Sequence, residues 1–450
     1  MQQYWCEYAW LGGLTATPSV LIDVADGRIA GIEHGAPCPA GVTRLAGLTM
    51  PGLANTHSHA FQRALRGSTQ TGAVSFWTWR EQMYALAGSI DPDQMHRLAR
   101  AVFAEMVLAG VTCVGEFHYL HHAPGGGRYD DPVAMEAAIV HAAREAGLRI
   151  TLLDVCYLHG GIGVEPNEVQ RRFADRDADQ WASRVSGVAA ALAGPGVRVG
   201  AAAHSVRAAA PRDIATVAAW AAQHDAPVHA HVSEQQVEND QCVGAYGISP
   251  TALLAREGLL SERFTAVHAT HVSAADIELL GAARAAVSFC PTTERDLADG
   301  IGPAEAFRRA GVPLAVGSDS HAVIDLLEEA RLVELNQRLA SGVRGVHTAA
   351  ELAAMATANG HRVLGWPDAG RLAVGARADL VSVRLDSVRT AGAPAGRALD
   401  AVMFAATSAD VHHVVVDSEV VVREGQHVRL DVAAALAATI GEVTTGALGR

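Results

Sequence analysis

His57 and His59 stand one residue apart at the end of an apolar run, Pro51-Gly-Leu-Ala-Asn-Thr-His57-Ser-His59-Ala-Phe-Gln62-Arg63. In an extended strand, residues i and i+2 project to the same face, so the pair can present two imidazoles to one metal ion. Histidine occurs 21 times in the chain, so the pair carries weight only if further ligands follow at later strand ends. Candidates do follow, in His229-Ala-His231-Val-Ser-Glu234, in His268 and in Gly317-Ser-Asp319-Ser. Three histidines and a carboxylate suit a borderline divalent metal and leave one position for water. Two simpler readings compete. Asp319 is also a plausible N-cap for the helix after it, and His229, although it shares a face with His231, reads as a core or supporting residue.

Apolar strand-like runs recur over 52–57, 111–117, 149–155, 197–203, 227–231, 264–268, 285–289 and 313–317. Between them lie segments with helical spacing, such as 94–108 and 211–223, the latter opening with proline in its first turn. Eight alternating βα units predict an α/β fold, a (β/α)8 TIM-like barrel. In such barrels chemistry is done at the C-terminal ends of the strands, which is where every candidate above falls. Val20-Leu-Ile-Asp-Val-Ala-Asp26-Gly27-Arg28-Ile-Ala-Gly-Ile32 reads as a hairpin around Asp-Gly. Residues 378–384 and 411–422 read as further strands near the other end of the chain. The expected organisation is a barrel over 51–368 and a small composite β-sandwich domain built from 1–50 and 369–450.

Composition narrows the chemistry. The chain has 450 residues, half of them hydrophobic, enough for a large core. A net charge of -13 argues against nucleic-acid or anionic-membrane partners. The N-terminal residues lack a basic segment followed by an apolar core, and no later stretch reads as a membrane span, so a cytoplasmic location is expected. Six cysteines without CxxC spacing predict reduced, mostly buried thiols. All 35 basic residues are arginine. The absence of lysine excludes Schiff-base catalysis, a P-loop and a carboxylated-lysine bridge between two metals.

With these residues in view, the chain resembles the amidohydrolase superfamily, specifically its one-metal deaminases. The pattern HxH at strand 1, HxxE from strand 5, His at strand 6 and Asp at strand 8 is matched by His57/His59, His231/Glu234, His268 and Asp319. Gly370-Arg-Leu-Ala-Val-Gly-Ala-Arg-Ala-Asp379-Leu-Val is similar to the family's terminal signature. Four segments resemble the formimidoylglutamate deiminases of histidine degradation more closely. They are Asn55–Arg63, Phe76-Trp-Thr-Trp-Arg80-Glu, Gly115-Glu-Phe-His-Tyr119-Leu-His-His and His204-Ser-Val-Arg207. The resemblance implies hydrolysis of N-formimino-L-glutamate to N-formyl-L-glutamate and ammonia, one divalent ion (zinc, or iron(II)), and a homodimer.

The residues suit that chemistry. A formamidine carbon is a poor electrophile for neutral water, and a metal ion that lowers the pKa of its bound water supplies a nucleophile. His57, His59, His231 and Asp319 are the expected ligands; Asp319 is placed to take the water proton and His268 to orient the nucleophile. Glu234 is placed to carry a proton to the departing nitrogen. His271 competes with His268. A diacid substrate needs fixed cations, and arginine's planar fork matches a carboxylate. The resemblance, not spacing, points to Arg80 and Arg207 for this, with Gln62, Tyr119 and His204 beside them. Arg63 and Arg66 compete for the carboxylates, and Trp77 and Trp79 are assigned no role. The main alternative is a one-metal aminohydrolase of a purine or other heteroaromatic base, which would want stacking aromatics where this chain has only 5% aromatic residues. A noncatalytic relative of the barrel is the second alternative, but such relatives typically lose ligands.

Overall fold

The computed structural model describes residues 2–70 and 76–448. Near the N-terminus lie β1 (Gln2–Ala9), β2 (Thr17–Ala25), β3 (Arg28–His34) and β4 (Thr43–Pro51). The barrel strands follow: β5 (Leu53–Ser58), β6 (Val111–His118), β7 (Arg149–Cys156), β8 (Val197–Ala203), β9 (Val228–Val232), β10 (Phe264–His268), β11 (Ala286–Phe289) and β12 (Leu314–Val316). Then come β13 (Leu380–Val383), β14 (Val411–Val416), β15 (Glu419–Arg423) and β16 (Gln426–His427).

Strands β5 to β12 pair in parallel, each with the next in sequence. Covered by helices outside and packed against one another inside, they are buried almost end to end, which is why they read as continuous apolar runs. The ring closes through the site itself. The Asp319 N–H donates to the His57 carbonyl at 3.0 Å, and the His59 N–H donates to the Asp319 carbonyl at 3.2 Å. Helices start where the sequence signals them: Asp91 and Gln94 form a capping box on Pro92–Leu108, and Pro211 opens Pro211–Gln223.

The remaining strands form one continuous sheet in the order β16-β15-β14-β13-β4-β1-β2-β3. The antiparallel pair β4–β13 joins the two ends of the chain. Both hairpins turn on two consecutive left-handed residues, Asp26 and Gly27 (φ 51° and 74°) and Asp417 and Ser418 (φ 47° and 74°). That geometry matches strand twist, and glycine and aspartate tolerate it best. The helix Val432–Leu448 was not anticipated from the sequence; it runs back over Pro92–Leu108, with Arg97 and Glu442 2.6 Å apart.

The terminal signature has a structural purpose. Asp379 receives both Nη groups of Arg149, at the start of β7, and both residues are buried. It also accepts the Asp417 N–H at 3.1 Å, so one carboxylate ties the barrel to the outer sheet. Asp379→Ala leaves the Arg149 charge buried with Asp417, 3.2 Å away, as its remaining carboxylate among the described residues. We expect a loss of about 3–5 kcal/mol in denaturant unfolding; a loss below about 1 kcal/mol would show that the pair does not hold the junction.

Five of the six cysteines are buried and Cys38 is exposed; all are free thiols. Among the described residues, no helix is long and apolar enough to cross a membrane.

Candidate active site

Strand ends β5, β9 and β10 and the turn after β12 deliver five donors to the mouth of the barrel. His57 and His59 Nε2 each lie 3.3 Å from Asp319 Oδ1, and His231 Nε2 lies 3.1 Å from His57 Nε2. His268 Nε2 lies 3.8 Å from Asp319 Oδ2. One ligand atom from each of His57, His231, His268 and Asp319 falls within 4.8 Å of all the others. Donors held about 2.1 Å from one ion in tetrahedral geometry lie about 3.4 Å apart, so this spacing fits a single divalent ion.

The tautomers fit as well. His59 Nδ1 is 2.9 Å from the Phe117 carbonyl and His231 Nδ1 is 3.0 Å from the His204 carbonyl. A carbonyl can only accept, so each Nδ1 carries the proton and each Nε2 turns a lone pair to the cluster. His268 Nε2 is buried without a hydrogen-bond partner among the described residues. Burial pushes His57 down to about 3 and His231 well below the usual histidine range, so both are neutral. Burial opposes ionisation of Asp319, but the imidazoles of His57 and His59 set against it outweigh that and hold its carboxyl well below the usual range.

His268 differs from the other histidines. Its Nδ1 lies 3.3 Å from Glu294 Oε1, a carboxylate rather than a carbonyl. Burial disfavours its charged form, but Glu234, Glu294 and Asp319 outweigh that and raise it to about 10. Glu234 Oε1 lies 3.7 Å from His268 Nε2, and its carboxyl is raised by burial and by Asp319 and Glu238, against the pull of His268 and Arg207.

Backbone strain gathers here. Ser233, His268, Ala269, Asp319 and His321 all have φ between 44° and 66°. Such conformations cost about 1–3 kcal/mol each in non-glycine residues and persist only where the surroundings enforce them. Asp319 does not cap a helix: Asp325 caps Leu326–Ser341 through the N–H groups of Leu327 and Glu328. His271 lies outside the cluster, its Nε2 2.7 Å from the Asp299 carbonyl. His229 sits deeper in the barrel against the Val363 carbonyl at 3.3 Å.

Beside the cluster opens a cavity of about 570 Å³, counted to its open mouth. Gln62, Arg80, Tyr119, His204 and Arg207 all line it, together with His59, His231, Glu234 and Asp319. Gln62 Nε2 donates to the Tyr119 hydroxyl at 2.9 Å, and its buried Oε1 has no partner among the described residues. The Arg80 guanidinium lies over the Tyr84 ring at 5.4 Å. Burial and the Arg207 charge keep His204 well below the usual histidine range.

Two expectations are corrected. Arg63 and Arg66 do not line the cavity; each bonds Glu105 at 2.7 Å, and Arg66 Nε also bonds the His321 carbonyl at 2.6 Å. The low aromatic content also misleads, because Trp79, Tyr84, Tyr119, Tyr157 and Phe173 all gather on this cavity. Whole-chain composition averages away such local enrichment. The Trp77 side chain lies outside what the structure describes.

Sequence reasoning also missed Glu294 and Glu238. Glu294 follows strand seven of the barrel, β11, for which the sequence offered no candidate; Glu238 stands four residues after Glu234, in the first turn of the helix Gln236–Tyr246.

A closed parallel barrel with a histidine and aspartate cluster at its C-terminal mouth defines a metal-dependent hydrolase of the (β/α)8 class. The chain belongs to the amidohydrolase family, whose model matches residues 48–421. It is 39% identical over 414 residues, 90% of each chain, to a formimidoylglutamate deiminase of Pseudomonas aeruginosa. An amidohydrolase crystal structure from Brucella melitensis superposes with a TM-score of 0.90 at 35% identity, covering 98% of this chain and 100% of that one. A zinc-bound adenosine deaminase from Xanthomonas campestris superposes with a TM-score of 0.85 at 25% identity, covering 99% and 98%. The protein is a hydrolytic enzyme acting on a carbon–nitrogen bond.

Proposed function

We propose that the enzyme hydrolyses N-formimino-L-glutamate to N-formyl-L-glutamate and ammonia, in histidine degradation, with one zinc ion, or iron(II) in its place. The observation that carries this reading is the pair Arg80 and Arg207 on the cavity that opens on the metal-binding cluster. Similarity over nine-tenths of a formimidoylglutamate deiminase supports it.

His57, His59, His231 and Asp319 would hold the ion, which when bound lowers the pKa of a water and so supplies the nucleophile at neutral pH. Asp319 Oδ2 faces His268 Nε2 and is the acceptor for the water proton. His268, held by Glu294, orients the attacking oxygen. Glu234, raised above the ordinary carboxyl range, delivers a proton to the departing nitrogen. The formamidine carbon gains its oxygen as the bond to the terminal nitrogen breaks, and ammonia leaves rather than an amide anion. Arg80 and Arg207 bind the two carboxylates, while Gln62 Oε1, which has no partner among the described residues, can accept from a substrate N–H.

A second reading, an aminohydrolase of a heteroaromatic base, draws on the aromatic lining. That lining packs largely on itself: Tyr119 and Tyr157 meet Phe173 edge-on at 5.0 and 5.3 Å, and Tyr157 meets His204 edge-on at 4.4 Å. Edge-on packing leaves less open ring face for a stacked base, so the diacid is favoured. The deciding experiment incubates metal-loaded enzyme with N-formimino-L-glutamate and, separately, with guanine and adenosine. Equimolar ammonia and N-formyl-L-glutamate are expected. Formamide and glutamate, or turnover of a base alone, would sink the assignment.

A further inference from the structure

We propose that Glu238 is a positioning residue that aims the Arg207 guanidinium at a substrate carboxylate and ties it to the segment that carries Glu234. This deepens the reading above and rests on it for the identity of the substrate. Glu238 is fully buried in the first turn of the helix Gln236–Tyr246, and it does not line the cavity. Both its oxygens are engaged: Oε2 accepts from Arg207 Nε at 2.7 Å and Oε1 accepts from the Ser233 N–H at 2.7 Å. Ser233 is the left-handed residue immediately before Glu234. One carboxylate therefore fixes an arginine delivered after β8 and the proton-carrying glutamate delivered after β9.

Arg207 needs such a tether because it stands between two spaces. It lines the cavity on the cluster and also a wider cleft that opens beside it past His159. An arginine side chain is long and rotamer-rich, and nothing in its own backbone prefers one space to the other. Occupying Nε with Glu238 removes the side edge of the fork and leaves the Nη1/Nη2 edge for an incoming carboxylate. The same bond holds Arg207 Nη2 3.8 Å from Glu234 Oε2, too far for a hydrogen bond, so the cation does not collapse onto the proton carrier.

Glu238→Gln isolates this role, because an amide oxygen still accepts from Ser233 while an amide NH2 cannot accept from Arg207. Four proteins are compared: wild type, Glu238→Gln, Arg207→Ala and the double variant, each with melting temperature and bound metal measured. We expect KM for N-formimino-L-glutamate to rise about tenfold or more in Glu238→Gln, with a smaller change in kcat. The double variant should be no worse than Arg207→Ala alone, since Glu238 acts through Arg207. An unchanged KM, or losses that multiply in the double variant, would overturn the proposal. If wild type does not turn over this substrate, the functional reading fails separately. The crystal structure of Glu238→Gln then decides: a displaced Arg207 supports the tether, and an Arg207 still in place overturns it.

Discussion

Asp319→Asn is expected to strip the enzyme of its metal and of its turnover together. Asp319 Oδ1 lies 3.3 Å from both His57 Nε2 and His59 Nε2, the spacing of three donors to one shared ion. An amide of the same shape offers a neutral oxygen or an NH2, and the latter would face the imidazole lone pairs. Asparagine also tolerates the left-handed φ of 44° at this position, and the main-chain bonds to His57 and His59 that close the barrel remain. Loss of fold is therefore not the expected outcome. We expect metal content after dialysis to fall well below one per chain and kcat/KM to drop by about a thousandfold or more, because in the proposed mechanism this carboxylate both holds the ion and accepts the water proton. The apparent melting temperature should fall too, because metal no longer stabilises the native state by mass action. Stoichiometric metal with wild-type turnover in this variant would remove Asp319 from the centre.

Glu234→Gln is expected to separate metal binding from proton transfer. Glu234 lies beside the cluster, 3.7 Å from His268 and 3.8 Å from Arg207, yet belongs to neither group of ligands. Burial disfavours its charge, and Asp319 and Glu238 add to that, so its carboxyl holds a proton at higher pH than an exposed glutamate. Glutamine keeps the volume and loses the titrating proton. We expect full metal content, KM within a few-fold of wild type, and kcat reduced by about 10²–10⁴. Elemental analysis and steady-state ammonia release check both halves. A kcat within twofold of wild type would take Glu234 out of the proton path.

Much of this was legible in the linear chain because the signals are local. The predicted strands agree with β5 to β12 to within about two residues, since a parallel barrel strand is buried on both faces and reads as an unbroken apolar run. The first hairpin announced itself through Asp26-Gly27, a two-residue turn that favours positive φ. His57, His59, His231, His268 and Asp319 could be grouped because strand ends in a barrel converge on one mouth.

The arginines were not legible in this way. Arg63 and Arg66 follow the paired histidines as closely as any arginine in the chain, yet Glu105 from the helix Pro92–Leu108 holds both away from the cavity. Arg207 lines the cavity with its Nε held by Glu238, and Arg80 lies over Tyr84 on the same cavity. Aromatic content failed as a guide for a related reason, since five scattered rings meet only when the chain is folded.

The sequence by itself determined the barrel, the strand ends and the set of donors that meet at them. All of these follow from periodicity and side-chain direction within single elements. The tertiary structure alone decided which arginines line the cavity and which are held by carboxylates away from it. A charge 30 to 40 positions away in sequence can lie at hydrogen-bond distance or far off, and only the packing of one element on another fixes which.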